Sequence, residues 1–268
     1  MKKDKLLRIA ICMAVMIALV LLIKANVTFS KEPSGGSNLT SRVLETNSEL
    51  VQKIYSKLTL FNDSLSSDNY KHAYFKMDDN EKELSIEEKL YITIEYMYEN
   101  GLFDIEKIDD KKEKTKINAD RVIDQARNLF KGDSIDAKSI NFQPASSCGI
   151  VGYLYTGTDY EFTFKKCDPK LEISRTELKS AKKEGNYIIL RVKSFYASYK
   201  KKSKKEKEDH YAIHNYNSDE ELFKIPSSQL KEKIELISET HPIDDYDFYF
   251  ELRGENYYLT KIVHLPVQ

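Results

Sequence analysis

Residues 148–167 read CGIVGYLYTGTDYEFTFKKC. Two runs of β-branched and aromatic residues flank Gly157-Thr158, and apolar and polar positions alternate along the second of them. A strand has a side-chain period of two and a helix a period of 3.6, so this stretch can bury one face only as a hairpin. Folding it about Gly157-Thr158 sets Val151 opposite Phe164, Tyr153 opposite Phe162 and Tyr155 opposite Tyr160. Those six share one face, while Ile150, Gly152, Leu154, Glu161, Thr163 and Lys165 take the other. The same register places Cys148 opposite Cys167 at the ends of the hairpin. Facing residues are within disulfide reach in either kind of antiparallel pair, so a structural Cys148–Cys167 bridge is expected.

The alternating pattern continues from about residue 138 to the C-terminus. Further turns are expected at Lys183-Glu184-Gly185-Asn186 and Arg253-Gly254-Glu255-Asn256. Between them Tyr199 to Asp209, YKKKSKKEKED, is too polar to pack and reads as a solvated loop, its basic field diluted by Glu206, Glu208 and Asp209.

Upstream the period is helical. Leu44, Val51, Leu58 and Leu65, with Ile54 and Phe61 between them, mark a helix from Ser41 to Asn62. Ser85-Ile86-Glu87-Glu88 is a capping box ahead of Leu90, Ile94 and Met97, with Gly101 placed to end the helix. Asn118 caps a third helix, Ile117 and Val122 form its staple, and Gly132 closes it. The expectation is an α+β unit over residues 41–268, with an α-rich half (41–135) packed on an antiparallel sheet, a meander of hairpins (136–268). Helices followed by a meander that ends in an aromatic hairpin resemble cystatin-like and nuclear-transport-factor-like α+β domains. That likeness rests on architecture and not on residue motifs, and it implies a fold that hosts binding and catalysis alike.

Residues 6–23, LLRIAICMAVMIALVLLI, follow a basic N-terminus and carry no charge after Arg8. Arg8 and Lys24 can lift their charges to the two interfaces, so residues 1–24 read as a transmembrane signal-anchor with the N-terminus cytoplasmic. The chain is then a single-pass protein of the cell membrane, its C-terminal domain extracytoplasmic. Secretion after cleavage near Ser30 is the alternative, for which Thr28 and Ser30 supply a poor pair of small residues. Residues 25–40, with Pro33, Gly35 and Gly36, read as a flexible linker.

Beyond Lys24 the chain holds 37 basic against 42 acidic side chains. That balance disfavours nucleic acid, or an anionic membrane surface, as the main partner. His210 and His214 share a strand face but have no third ligand nearby, and Asp244, Asp245 and Asp247 lack the spacing and glycine of a calcium loop. Ser67-Asp68-Asn69 and Tyr155-Thr156-Gly157 resemble penicillin-recognising motifs only in part, since no serine-x-x-lysine precedes them. No catalytic, cofactor-binding or metal residue is therefore assigned, and the one assigned pair is the disulfide Cys148–Cys167. The expected function is a non-catalytic, membrane-anchored domain that binds a protein, peptide or envelope component. Its rivals are a small-ligand or hydrolytic pocket between helices and sheet, and a structural subunit that self-associates through the Leu44–Leu65 stripe.

Overall fold

The computed structural model describes residues 41–58, 70–102, 106–107, 112–130, 135–137, 140, 149–165, 172–218 and 220–267. The apolar run 6–23, the linker 25–40, the two cysteines Cys148 and Cys167, and Phe61, Leu65 and Gly132 lie outside the described residues. Packing separates Met1–Leu39 from one compact unit, Thr40–Gln268. Among the described residues no helix is long and apolar enough to cross a membrane.

The unit is mixed α+β, with a large antiparallel sheet and few helices. In chain order it runs β1 (Ser41–Leu44), α1 (Glu49–Ser56), α2 (Tyr70–Phe75), β2 (Glu81–Lys82), α3 (Ile86–Glu99), β3 (Glu106–Lys107), β4 (Lys112–Asn118), α4 (Ala119–Leu129), β5 (Gly149–Tyr155) and β6 (Asp159–Lys165). Then come β7 (Glu172–Glu184), β8 (Tyr187–Lys200), β9 (His210–His214), β10 (Phe223–Pro226), α5 (Leu230–Thr240), β11 (Asp245–Arg253) and β12 (Asn256–Leu265).

Two tight turns set the frame of the large sheet. Glu184 pairs with Tyr187 around Gly185-Asn186, and Arg253 pairs with Asn256 around Gly254-Glu255. Gly185 and Gly254 have φ of 56° and 65°, the left-handed region that a two-residue hairpin loop requires and that a side chain disfavours. The eight strands are ordered β1-β7-β8-β11-β12-β2, and β9, carrying β10, also joins β8. The sheet therefore forks at β8. Its first half pairs with β11 and its last residues, Tyr196 to Lys200, pair with β9. A second sheet is ordered β3-β4-β6-β5.

The capping box of α3 has both bonds. Glu88 N–H donates to Ser85 Oγ at 3.1 Å, and Ser85 N–H donates to Glu88 Oε2 at 2.9 Å. Gly101 follows at φ 62°. Asn118 Oδ1 accepts the Arg121 N–H at 3.3 Å to start α4, with Ile117 and Val122 buried together beneath it. One contiguous core joins α1 to α4 with both sheets: Val51, Phe75, Leu90, Val122, Tyr160, Leu190 and Phe248 all belong to it.

Three expectations are corrected. Ser41–Leu44 is not helical but an edge strand, Leu44 lying opposite Ala181, and the helix is confined to Glu49–Ser56. Leu44 and Val51 have helical spacing, but Glu45-Thr46-Asn47-Ser48 between them prefers turns and caps to a helix interior, and Ser48 takes the extended N-cap conformation. Helices are also not limited to the first half. α5 lies among the late strands, with Leu230, Ile234 and Ile237 buried along one side. The third correction is local to the first hairpin. Tyr155–Tyr160 and Tyr153–Phe162 face each other as expected, with Tyr160 and Phe162 buried and Leu154 exposed. A bulge then shifts the register, so that Ile150, not Val151, faces Phe164.

Candidate functional site

Because side chains alternate along a strand, Tyr187, Ile189, Arg191, Lys193, Phe195, Ala197 and Tyr199 of β8 share one face of the large sheet, opposite the core face of Ile188, Leu190 and Val192. The far end of that outer face is covered. Leu230, Ile234 and Ile237 of α5 pack there with Ile173, Phe195, Ala197 and Ile225 in a second apolar cluster. The near end is open to solvent. Tyr187 is 37% exposed, and the side chains of Lys182 and Arg191 are 37% and 40% exposed.

This bare surface is polar and aromatic, and most of its charges are fixed. Arg191 lies opposite Asp247 and grips it with two bonds, Nε to Oδ1 at 2.8 Å and Nη2 to Oδ2 at 2.7 Å. The bonded Asp247 carboxylate holds the guanidinium above its usual range. Lys182 pairs with Glu184 at 2.8 Å. Lys261 sits 4.7 Å from the centre of the Tyr249 ring and 3.0 Å from Glu81 Oε2, a cation–π contact and an ion pair on one ammonium. Tyr187 meets Tyr249 edge to face at 6.3 Å. Ser180, Lys182, Ile189, Arg191 and Asp247 line a shallow cleft of about 110 Å³. That volume takes a few waters or one small polar group, well below the 300–1,000 Å³ typical of small-molecule sites.

Where α5 ends, a polar knot ties it to the sheet. Ser238 donates to Glu177, Lys179 Nζ lies 2.8 Å from Glu177 Oε1 and 3.4 Å from Ser238 Oγ, and Lys193 donates to the Ser238 carbonyl at 3.2 Å. A serine beside a carboxylate and a lysine has the parts of an activated nucleophile. Ser238 is only 4% exposed, inside the last turn of a helix pressed on the sheet, so no substrate atom reaches its hydroxyl. Burial works to raise the Glu177 carboxyl, but the bonds from Lys179 and Ser238 outweigh it and hold it below the ordinary range. Asp245 behaves oppositely. Burial pushes its carboxyl up, Asp247 pushes the same way, and Lys193 and Arg191 only partly offset them.

The residues weighed for metals are spent separately. His210 faces Glu206 at 3.6 Å, whereas His214 stacks on Tyr196 at 5.0 Å and bonds Ser198 Oγ and the Glu220 carbonyl. Asp244 bonds His264 Nε2 at 2.8 Å and accepts the Val267 N–H, while Asp247 is held by Arg191. Among the described residues no group of three His, Cys, Asp or Glu side chains is arranged to hold a metal. Cys148 and Cys167 are outside them.

Sequence reasoning did not single out Lys182, Tyr187, Arg191, Tyr249 or Lys261. The signal was present in β8, where Arg191 and Lys193 interrupt an otherwise apolar strand at alternate positions and so mark one wet face. Comparison with known families, with curated proteins and with solved structures finds no match.

Proposed function

We propose that the chain is a membrane-anchored protein, held by residues 1–24, whose extracytoplasmic unit binds a protein, peptide or envelope component without catalysis. The observation that carries the binding reading is the bare half of the outer sheet face. It presents Tyr187, Lys182, Arg191 and Tyr249 on rigid strands, and it offers a shallow surface instead of an enclosed cavity. Aromatic and arginine side chains on such a surface supply contact area and directional bonds at small cost in rotamer entropy. The cleft on this face, about 110 Å³, is smaller than a typical small-molecule site. Val51, Ile54 and Leu58 are buried in the domain's own core, so they are not available as a seam for self-association.

A photo-crosslinking residue placed at Tyr187 in intact cells tests this, with Leu236 on the solvent side of α5, 53% exposed, as the control position. A discrete adduct at Tyr187, absent at Leu236 and lost when Lys182 is reversed in charge, is expected. Equal labelling at both positions would sink the binding reading. The anchor is tested separately by N-terminal sequencing of the membrane fraction, where a mature chain beginning near Lys31 would defeat it.

A further inference from the structure

Lys200, Lys201, Lys202, Lys204, Lys205 and Lys207 crowd the connection between β8 and β9, and all six are exposed. Read as sequence, the acids among them dilute their field. The structure shows what two of those acids do. Asp209 accepts a bond from the Tyr199 hydroxyl and another from the Lys202 N–H at 2.8 Å, and its own carbonyl accepts the Ser227 N–H at 2.9 Å. Glu206 accepts the Ser203 N–H at 2.7 Å and lies 3.7 Å from Lys224 and 3.6 Å from His210. These bonds shape the loop and leave both carboxylates charged, so the six lysines outweigh the three acids by three charges. The amide of Ser203 holds Glu206, and the hydroxyl of Tyr199 holds Asp209, below the ordinary carboxylate range. Among the described residues none of the six lysines forms a salt bridge.

The charge of the unit is therefore separated in space. Residues 200–209 hold six basic against three acidic side chains, while the rest of 40–268 holds 30 basic against 38 acidic. An unbalanced molecule of this kind turns its basic pole toward a negative surface even when its total charge is negative.

We propose that the loop Lys200–Lys207 docks on anionic lipid headgroups of the membrane that anchors the chain. This rests on the anchor reading of residues 1–24. An extended anionic surface engages six exposed lysines at once, which a single small anion does not. The anchor of that reading confines the unit to the membrane surface, so a weak contact acts at a high effective concentration. Ser41 pairs with Glu184 at the opposite end of β8 from the loop, so the loop meets the headgroups with the strands laid along the membrane. The low net charge that argued against an anionic surface describes the sum over the unit, and the loop is its exception.

The test reconstitutes the full chain into vesicles of phosphatidylcholine alone, or of phosphatidylcholine with about one-third phosphatidylglycerol, and follows backbone amide exchange over residues 200–208. Exchange about tenfold slower on the anionic vesicles is expected, reversed by about 0.5 M salt as the charges are screened. Each Lys→Gln change should weaken surface binding about fivefold, from the roughly 1 kcal/mol per lysine of such contacts. The variant K201Q/K202Q/K204Q/K205Q should lose the slowing with its melting temperature unchanged, and the Lys→Arg counterpart should retain it. Equal exchange on the two vesicles overturns the proposal, as does slowing that survives in the Gln variant. Washing with alkaline carbonate separates the two ideas. A chain that resists washing but shows no slowing has an anchor and no docking loop, whereas a chain washed away that still shows slowing has the docking loop and no anchor.

Discussion

One face of the large sheet is built twice, in two ways, on the same strands. Around Phe195 and Ala197 it is apolar and covered by α5, and around Tyr187 and Arg191, a few residues earlier on β8, it is charged, aromatic and bare. β7 pairs with β8 along both halves, shifting register once between Leu178 and Ser180, while the other edge of β8 passes from β11 to β9. The side chains differ more sharply. Ile173, Phe195 and Ile213 leave a surface that water disfavours and a helix can cover, while Lys182 pairs with Glu184 along β7 and Arg191 with Asp247 across β8 and β11, and neither pair needs cover. Coverage of this face is thus decided residue by residue along alternate positions.

The sharpest challenge to the comparison is Phe195→Ala. It should cost about 3–5 kcal/mol in chemical denaturation, because it opens a void under α5. A loss below about 1 kcal/mol would mean that α5 does not depend on this cluster.

Next in size is the Arg191–Asp247 fork at the border of the bare half. Asp247 is 5% exposed and Arg191 far more so, which makes the pair unequal. Arg191→Met strands a buried carboxylate and should cost about 2–3 kcal/mol, whereas Asp247→Asn leaves a cation that water can reach and should cost about 1 kcal/mol. Equal costs would contradict that asymmetry.

Asp245 gives a prediction of sign. Its carboxyl is held above the ordinary aspartate value of about 3.9 in the folded chain, so folding favours the protonated form. The resulting stabilisation is fully present below about pH 4 and is lost as pH rises through the raised value. Asp245→Asn, neutral throughout, should be the more stable protein at pH 7, and the two should converge below about pH 4. A variant less stable at pH 7, by a margin that grows with pH, would reverse the claim. Smallest of all is Tyr187→Ala on the bare half, expected within about 0.5 kcal/mol of the parent. A larger loss would mean that the tyrosine supports the fold rather than a contact surface.

Legibility followed locality. The turns at Gly185-Asn186 and Gly254-Glu255 and the starts of α3 and α4 were readable because every residue that makes them lies within a few positions. β1 was misread because Leu44 and Val51 fall one heptad apart by coincidence, and only pairing with distant Ala181 makes Leu44 part of a strand. α5 escaped because Gln229 supplies no side-chain cap, leaving the Leu230, Ile234, Ile237 spacing as its sole mark. The bulge in β5 falls at Val151-Gly152, where a lone glycine inside a strand pattern is its residue signature. The wet face of β8 is marked locally by Arg191 and Lys193, but what completes it is not: Arg191 and Asp247 are 56 residues apart, and nothing near either one announces the other.

The fork at β8 has a consequence for the order of assembly. The β7–β8 ladder zips from a two-residue turn and pays little loop entropy, but the β8–β11 ladder brings Arg191 to Asp247 only after the whole chain between them has been gathered in. The intervening β9, β10 and α5 complete the covered half first, through contacts nearer in sequence. Folding should therefore run outward from the hairpin, with the surface bearing Tyr249 and Lys261 formed last. In pulse-labelling exchange the amides that join β7 to β8 should gain protection before those that join β8 to β11, and the bare face would not exist until the C-terminal hairpin had docked.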